Sequence, residues 1–322
     1  MTINTCTERE LIARLRSRLP AAPDWLSVPV GDDAAVLQPA RGHSDVVTTD
    51  VLVEDVHFSR QWSSPADIGA KAIAVNLSDL AAMGATPRAV LLSLVLPSTL
   101  TLDDFDALVG AAIDATTAAR ATVVGGNLAR SSGPLIVDVT AIGVVRPRRV
   151  LTRAGARPGD RLFVTGSLGA AAAGLRALQA GAVLADDDEA LAACVSAQRR
   201  PQPRLRTGTI VAANRAASAC MDLSDGLADA VAQICEASRC GATIAPDSLP
   251  VHPRATLADA VSGGEDYELL FAVPRRRTRL FHAAVRQAGE APVTEIGECT
   301  KAEGVVGLDA ALGFAHFGSN KG

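Results

Sequence analysis

The chain of 322 residues is poor in aromatic residues and in lysine. Because only 3% of its residues are Phe, Trp or Tyr, the core must be built mainly from Ala, Val and Leu. Three of its 31 basic residues are lysines, Lys71, Lys301 and Lys321, so few ammonium groups remain to bind phosphate. The net charge is low, at -4, which argues against a nucleic acid or an anionic membrane as the partner.

The common motifs for phosphate and metal binding are missing as well. The chain has no GxxxxGK(S/T) P-loop and no HRD or DFG motif of a protein kinase, and its GSLG segment at 166–169 is not a GxGxxG fingerprint. The six cysteines form neither a CxxC pair nor a Cys/His cluster with zinc spacing. Any phosphoryl transfer must therefore depend on metal ions and carboxylates rather than on a P-loop lysine.

Membrane and export signals are also absent from the sequence. No uncharged apolar run reaches the ~18 residues that a membrane-spanning helix needs. The first residues carry Glu8, Arg9 and Glu10 within a helical pattern, which is unlike a signal peptide. We therefore expect a cytoplasmic protein with reduced, isolated thiols.

The length and the 48% content of hydrophobic residues predict two domains, each with its own core. A capping box at 7–10 predicts a helix to about residue 19, and Ser64-Pro65 begins a long Ala-rich helix that ends at Gly84. Further helices are expected at 103–119, 168–180, 203–217, 224–237 and 276–288. Strands are expected near 28–37, 45–53, 89–96, 121–125, 134–145, 161–165, 266–273, 293–297 and 304–308. The Pro- and Gly-containing segment 146–160 separates a domain 1–148 from a domain 149–322, and the mixture indicates an α+β fold.

Five acidic motifs are the most informative feature of the sequence. They are GDDAAV (31–36), TTDVLVEDVHF (48–58), NLSDLAAMG (76–84), MDLSDGL (221–227) and GGEDYELL (263–270). Carboxylates within apolar sequence are costly to bury unless a positive group neutralises them. Oxygen-liganded cations supply that charge, and Mg²⁺ with a bound phosphate is the commonest case.

Each motif has a structural interpretation beside the functional one. Alternation along the strand 45–53 places Thr48 and Asp50 on one face and Thr49 on the other, as metal ligands or as a polar strand edge. Asn76 and Asp79 share a helix face. Lys71, on the same helix, is expected to be a solvated surface charge.

The glycine-containing motifs likewise have two interpretations. Gly125-Gly126-Asn127, taken as the end of a strand, offers backbone N–H groups to an anion or is an ordinary turn. Ser224 either caps a helix or contacts a ligand, and Gly263-Gly264 either opens a site or forms a plain turn.

In this order and spacing, GDDAAV, TTD-x₆-HF, NLSDLAAMGATP, GGN, MDLSDGL and GGEDYELLF resemble the thiamine-monophosphate kinase family. The resemblance runs from about residue 10 to the segment 313–317, nearly the whole chain. It implies membership of the superfamily of aminoimidazole ribonucleotide synthetase and selenophosphate synthetase. It further implies an N-terminal sheet domain with flanking helices that forms a dimeric β-barrel, a C-terminal α+β domain, and a cleft lined by both domains for ATP and several Mg²⁺ ions. The implied reaction transfers the ATP γ-phosphoryl group to thiamine monophosphate, with thiamine diphosphate and ADP as products.

The resemblance also assigns roles to individual residues. The implied metal ligands are Asp33, Thr49, Asp50, Asp79, Asn127, Asp222 and Asp225, with Thr48 contributing through its backbone. The implied ATP contacts are Gly126, Asn127, Arg153 and Ser224, and the implied thiamine-phosphate contacts are His57, Glu265 and Phe314. Many relatives have Asp where this chain has Asn127, which removes one charge from the implied metal set. No general base is assigned, because a substrate phosphate oxygen is already a competent nucleophile.

Two alternatives stay open at the level of sequence. The first is another ATP-using enzyme of the same superfamily; the absence of a Cys-plus-Lys pair in an N-terminal glycine loop argues against a selenophosphate synthetase. The second is a non-catalytic metal- or nucleotide-binding regulator. At the implied metal site, a triphosphate and five carboxylates together carry roughly nine negative charges, and the carboxylates are those of Asp33, Asp50, Asp79, Asp222 and Asp225. About three to five divalent ions would balance most of this charge.

Overall fold

The computed structural model describes residues 2–182 and 188–308, which form two compact units. The first unit holds the chain up to Leu80 together with Ala85–Arg148, and the second holds Ala81–Gly84 and the chain from Arg149 onward. Each unit combines helices with a sheet, so the predicted two-domain α+β class is confirmed. No helix in the described ranges is both long enough and apolar enough to cross a membrane.

The first unit is built on a four-stranded mixed sheet. Its helices are α1 (Glu8–Arg18), α2 (Pro65–Ala82) and α3 (Leu102–Ala118), and its strands are β1 (Leu26–Val28), β2 (Val36–Leu37), β3 (Ser44–Val53), β4 (Thr86–Pro97), β5 (Thr122–Ser131) and β6 (Ile136–Val145). The sheet order is β3-β6-β4-β5, with β4 and β5 parallel and the other pairs antiparallel. In the described residues this sheet is open, with β3 and β5 at its edges.

Local sequence explains why these helices begin and pack where they do. Thr7 and Glu10 form the predicted capping box of α1, since the Thr7 N–H donates to Glu10 Oε2 at 2.7 Å. Gly69 allows α2 to pack closely on α3, because a Cβ atom there would lie 2.1 Å from the Leu108 carbonyl oxygen. This packing fixes the helix that carries Asp79.

The second unit contains a six-stranded sheet. Its helices are α4 (Ala170–Gln179), α5 (Glu189–Arg199), α6 (Leu205–Ala213), α7 (Leu227–Ser238), α8 (Leu257–Ser262) and α9 (Thr278–Ala288), and its strands are β7 (Arg161–Thr165), β8 (Ala219–Asp222), β9 (Gly241–Ile244), β10 (Leu269–Val273), β11 (Val293–Thr300) and β12 (Val305–Val306). The order is β12-β9-β11-β7-β10-β8, antiparallel except for β12 and β9. Both faces are covered: Leu162 and Val164 of β7 pack into one apolar cluster, and Phe163 packs into another.

Several elements differ from the prediction. The sequence does not predict α5, α8, β8 or β9. For β8 the reason is that a short strand buried at every position lacks the alternation that marks a strand. The prediction that Gly125-Gly126-Asn127 ends its strand is wrong, since β5 continues to Ser131 and pairs Gly126 with Leu92 of β4. A Cβ atom at Gly126 would lie 1.8 Å from the Leu92 carbonyl oxygen, so glycine here serves close strand approach.

Candidate active site

In the first unit, Thr48 and Asp79 are brought into direct contact. Thr48 lies on β3 and its hydroxyl donates to the carboxylate of Asp79 on α2. Asp50 is two residues further along β3, so it lies on the same strand face as Thr48. All three residues are half-buried. One hydroxyl and two carboxylates therefore occupy the region where this face of β3 meets α2.

Thr49 occupies the opposite face of β3. Its Oγ1 lies 3.1 Å from the Val139 carbonyl oxygen, 3.1 Å from Thr140 Oγ1 and 3.3 Å from Asp138 Oδ1. These partners all belong to β6, the neighbouring strand. The side chains of Thr48 and Thr49 therefore do not face one common site.

The remaining implied metal ligands of this unit lie elsewhere in it. Asp33 is exposed in the loop before β2, where its N–H donates to Asp32 Oδ1 at 2.8 Å. Gly31 has a positive φ of 135° in this loop, which favours glycine. Asn127 is exposed on β5, opposite Ser93 of β4, next to Gly126.

His57 is held in a defined orientation by backbone groups. The Val53 N–H donates to its Nδ1 at 3.1 Å, so the neutral imidazole carries its proton on Nε2. Lys71 on α2 donates from Nζ to the His57 carbonyl oxygen at 3.1 Å. Lys71 is only 3% exposed, so the prediction of a solvated surface charge is wrong. A buried lysine tied to the His57 loop is a feature that the helical pattern alone did not indicate.

In the second unit, Asp222, Ser224 and Asp225 follow one another at the end of β8. Asp222 is 3% exposed and pairs with Leu269 of β10, while Ser224 and Asp225 are half-buried in the loop to α7. The N-cap of α7 is Gly226, with a φ of 97°, and no side chain caps it. The interpretation of Ser224 as a helix cap is therefore wrong.

The second acidic motif of this unit packs directly on that loop. The Glu265 N–H donates to the Ser224 carbonyl at 2.7 Å, and the Tyr267 N–H donates to the Leu223 carbonyl at 3.0 Å. Leu223 in turn donates to the Glu268 carbonyl at 2.8 Å. Glu265 and Tyr267 have positive φ values of 68° and 50°, a strained conformation that often marks functional turns. The implied substrate residue Glu265 is thus adjacent to the implied nucleotide residue Ser224.

Arg153 is also positioned within the second unit. Its guanidinium donates to Gln233 Oε1 on α7, and Gln233 Nε2 donates to Asp229 Oδ2 at 2.5 Å. Arg153 is therefore held by a side chain of α7, the helix that begins two residues after Asp225. Phe314, the third implied substrate contact, lies outside the described residues.

The donor chemistry of both units fits Mg²⁺. The candidate ligands are carboxylate and hydroxyl oxygens, which are the groups that this hard cation prefers. Among the residues that the structure describes, no three His, Cys, Asp or Glu side chains form a ready metal cage. Mg²⁺ is commonly held by one or two carboxylates with substrate phosphates and water, so a ready cage is not required.

Asp266, next to Glu265, has a separate structural role. Its carboxylate accepts the N–H groups of Gly169 at 2.7 Å and Ala171 at 3.2 Å, at the beginning of α4. Desolvation raises the pKa of Asp266 to about 7, although these hydrogen bonds oppose the shift.

The raised pKa of Asp266 predicts a pH-dependent stability. Between about pH 4 and pH 7 the folded protein holds a proton that the unfolded chain has lost, so the free energy of unfolding should fall as pH rises through this window. The change is at most about 4 kcal/mol for a shift of this size. Asp266→Asn should flatten this part of the pH profile of the melting temperature, whereas Asn at the exposed Asp247 should leave it unchanged. An unaltered profile in Asp266→Asn would contradict the assignment.

Comparison with known proteins agrees with these observations. Residues 31–145 match the family model for the N-terminal domain of AIR synthase related protein, and residues 157–309 match that for its C-terminal domain. Both units therefore belong to the AIR synthase related class. The thiamine-monophosphate kinase of Synechococcus elongatus is 40% identical over 308 residues, covering 89% of this chain and 91% of that protein. The Escherichia coli K12 protein of the same name is 38% identical, covering 92% and 91%.

Solved structures give the same result. The crystal structure of thiamine-monophosphate kinase from Stenotrophomonas maltophilia K279a superposes with a TM-score of 0.85 at 35% identity, covering 97% of this chain and 99% of that one. A structure described as AaThiL complexed with AMPPCP and TMP has a TM-score of 0.77 at 30% identity, covering 98% and 99%. The chain belongs to the thiamine-monophosphate kinase family.

Proposed function

We propose that this protein is a thiamine-monophosphate kinase, which transfers the γ-phosphoryl group of ATP to thiamine monophosphate and releases thiamine diphosphate and ADP. The observation that carries the proposal is the contact of Glu265 with Ser224, 2.7 Å between backbone atoms, which joins two motifs shared in order with the family. A relative that covers nearly the whole chain was solved with AMPPCP, an ATP analogue, and TMP. Such a reaction needs positioned phosphates and neutralised charge more than covalent catalysis.

The proposed Mg²⁺ ligands are oxygen-bearing residues of the acidic motifs, together with Asn127. In the first unit these are Asp33, Thr48, Thr49, Asp50, Asp79 and Asn127, and in the second they are Asp222 and Asp225. Bound Mg²⁺ supplies the positive charge that offsets the phosphates and the carboxylates together. Asp222 is almost fully buried, where a bound cation would offset the cost of desolvating its carboxylate. Asn127 supplies an oxygen without a charge, so we expect its metal to be held more weakly than by an Asp.

The remaining candidates are proposed to hold the two substrates. Gly126, Asn127, Arg153 and Ser224 are the proposed ATP contacts, with Gly126 offering backbone at a point where no Cβ would fit. His57 presents Nε2–H as a donor to a phosphate oxygen, because its Nδ1 is occupied by Val53. Glu265 offers a carboxylate to the cationic thiazolium or to the aminopyrimidine, and Phe314 offers a ring face to the same groups.

We also propose that the domain 1–148 binds ATP and Mg²⁺ and forms a two-fold homodimer through its sheet, completing a β-barrel, while the domain 149–322 is the C-terminal α+β domain. Two valines of the edge strand β3 support this, since Val47 is 62% and Val51 is 47% exposed. An open sheet edge with exposed valines is a surface that proteins normally cover.

The dimer predicts a clear effect of charge on β3. Val47→Asp combined with Val51→Asp should convert the dimer into a monomer at micromolar concentration, because burying two carboxylates at the interface is costly. Light scattering measures the mass directly. Val306→Asp, at a valine of the second unit that is 65% exposed, is the matched control and should remain dimeric. A monomeric wild-type protein would refute the proposal.

Turnover with defined acceptors tests the function. Purified protein with Mg²⁺ and ATP should convert thiamine monophosphate to thiamine diphosphate with one ADP per product, and should leave free thiamine unchanged. Chromatography of the thiamine species and an ADP assay give both quantities. ATP binding without turnover would indicate a regulator, and ATP consumption without thiamine diphosphate would indicate another reaction of the superfamily.

A further inference from the structure

A buried ion pair is formed by Glu268, the last residue of the 264–268 turn that carries Glu265. Arg204, the residue before α6, donates from Nε to Glu268 Oε2 at 2.7 Å and from its Nη2 to Oε1. The side chains are 20% and 6% exposed. This two-point contact fixes the orientation of the Glu268 carboxylate as well as its charge.

Glu268 also contacts β7 and the loop that carries Ser224. Thr165 at the end of β7 donates from Oγ1 to Glu268 Oε2 at 2.5 Å, and the Leu269 N–H donates to Thr165 Oγ1 at 2.8 Å. The Glu268 carbonyl accepts the Leu223 N–H at 2.8 Å, within the loop that carries Ser224. One residue therefore joins β7, Arg204 and the 222–225 loop.

The space around the carboxylate is matched to this arrangement. A Cβ atom at Gly166, which has a φ of 62°, would lie 2.0 Å from Glu268 Oε1. A side chain at position 166 would displace the carboxylate and break the contact with Arg204. Glycine at position 166 thus leaves room for the Glu268 carboxylate. An apolar pair of similar size commonly gives equal or better stability than a buried ion pair, so stability alone does not explain the Arg204–Glu268 pair.

The segment that directly precedes Glu268 needs such support. Glu265 and Tyr267, on either side of Asp266, both have positive φ. Residues in this region persist only where the surrounding contacts determine their conformation. Asp222 is held by its pairing with Leu269, and the turn is held on the 222–225 loop by the Glu265 N–H, which donates to the Ser224 carbonyl.

We propose that Arg204 is a positioning residue for the substrate site: through Glu268 it fixes the 264–268 turn on the 222–225 loop and so sets the position of Glu265. The role of Glu265 in this inference rests on the proposed function. The contact of Arg204 with Glu268, here called the clamp, does not depend on the proposed function. Arg204 is not one of the proposed substrate contacts and acts through Glu268. Its effect should fall on the thiamine-phosphate contact more than on ATP.

Arg204→Lys tests the clamp, because it keeps the charge and removes the two-point contact. Amide hydrogen exchange of the ligand-free protein should be faster in 222–226 and 264–268, and unchanged in β9 and β11. The KM for thiamine monophosphate should rise about tenfold, and the KM for ATP less than about threefold. Arg161→Lys is the control: Arg161 pairs with Glu295 at the other end of β7 at 2.8 Å and should show neither effect.

A second variant separates positioning from stability. Arg204→Met with Glu268→Met removes both charges together, so its melting temperature should exceed that of Arg204→Met alone, while its KM for thiamine monophosphate should stay raised. Wild-type exchange in both segments, or a KM that recovers with the melting temperature, would overturn the inference. If the wild-type protein lacks the kinase activity but Arg204→Lys loosens both segments, the proposed function fails and the clamp stands.

Discussion

Asp79→Asn should reduce the kcat for thiamine monophosphate about 100-fold or more, with a melting temperature close to that of the wild type. The substitution removes one anionic oxygen from a group of hard ligands, and a loss of this size corresponds to about 2.7 kcal/mol of transition-state stabilisation. The fold should persist, because the Asn amide oxygen can still accept the Thr48 hydroxyl that now contacts Asp79. Steady-state kinetics at several Mg²⁺ concentrations is the measurement.

Asp138→Asn is the matched control for this prediction. Asp138 lies on the same sheet but on the face of Thr49, whose hydroxyl is 3.3 Å from its Oδ1. If the catalytic cation is held on the face of Thr48, Asp138→Asn should keep most of its activity. Equal losses in the two variants would show that the effect of Asp79→Asn is not specific to the Thr48 face. Full activity of Asp79→Asn would remove that residue from the site.

The acidic motifs can be recognised in the sequence because they interrupt apolar stretches with Asp, Gly and Ser. The sequence also predicts α1, whose capping box is a local pattern, and the long helix α2. These features depend on residues within a few positions of each other, which a single sequence displays directly.

The contacts between motifs could not be predicted in the same way. The 264–268 turn packs on the 222–225 loop because β10 lies beside β8, an order that no local pattern encodes. The burial of Lys71 and Arg204 could not be predicted for the same reason. A basic residue in a helical or Pro-containing segment resembles a surface charge until its buried partner is known. The continuation of β5 through Gly126 could not be predicted for a related reason, since glycine is common both where strands end in turns and in closely packed strands.

A second large effect is expected at Glu265. Glu265→Gln should raise the KM for thiamine monophosphate about tenfold, equivalent to about 1.4 kcal/mol, and leave the KM for ATP near the wild-type value. Thiamine carries a positive thiazolium ring, so loss of the carboxylate removes a charge-assisted interaction while the shape of the side chain is kept. Glu236→Gln, at an exposed position on α7, is the control and should leave both constants unchanged.

Glycine at the same position should separate the functional role of Glu265 from its structural cost. A non-glycine residue at a φ of 68° costs about 1 kcal/mol or more, which glycine avoids, although glycine loses part of this gain to its greater freedom in the unfolded chain. Glu265→Gly should therefore melt at or above the wild-type temperature and still show a raised KM for thiamine monophosphate. Calorimetry and steady-state kinetics on one preparation give both values. A lower melting temperature together with unchanged kinetics would show that Glu265 serves the fold rather than the substrate. In that case the contacts of the Glu265 side chain stabilise the fold by more than its backbone strain costs, and glycine loses those contacts.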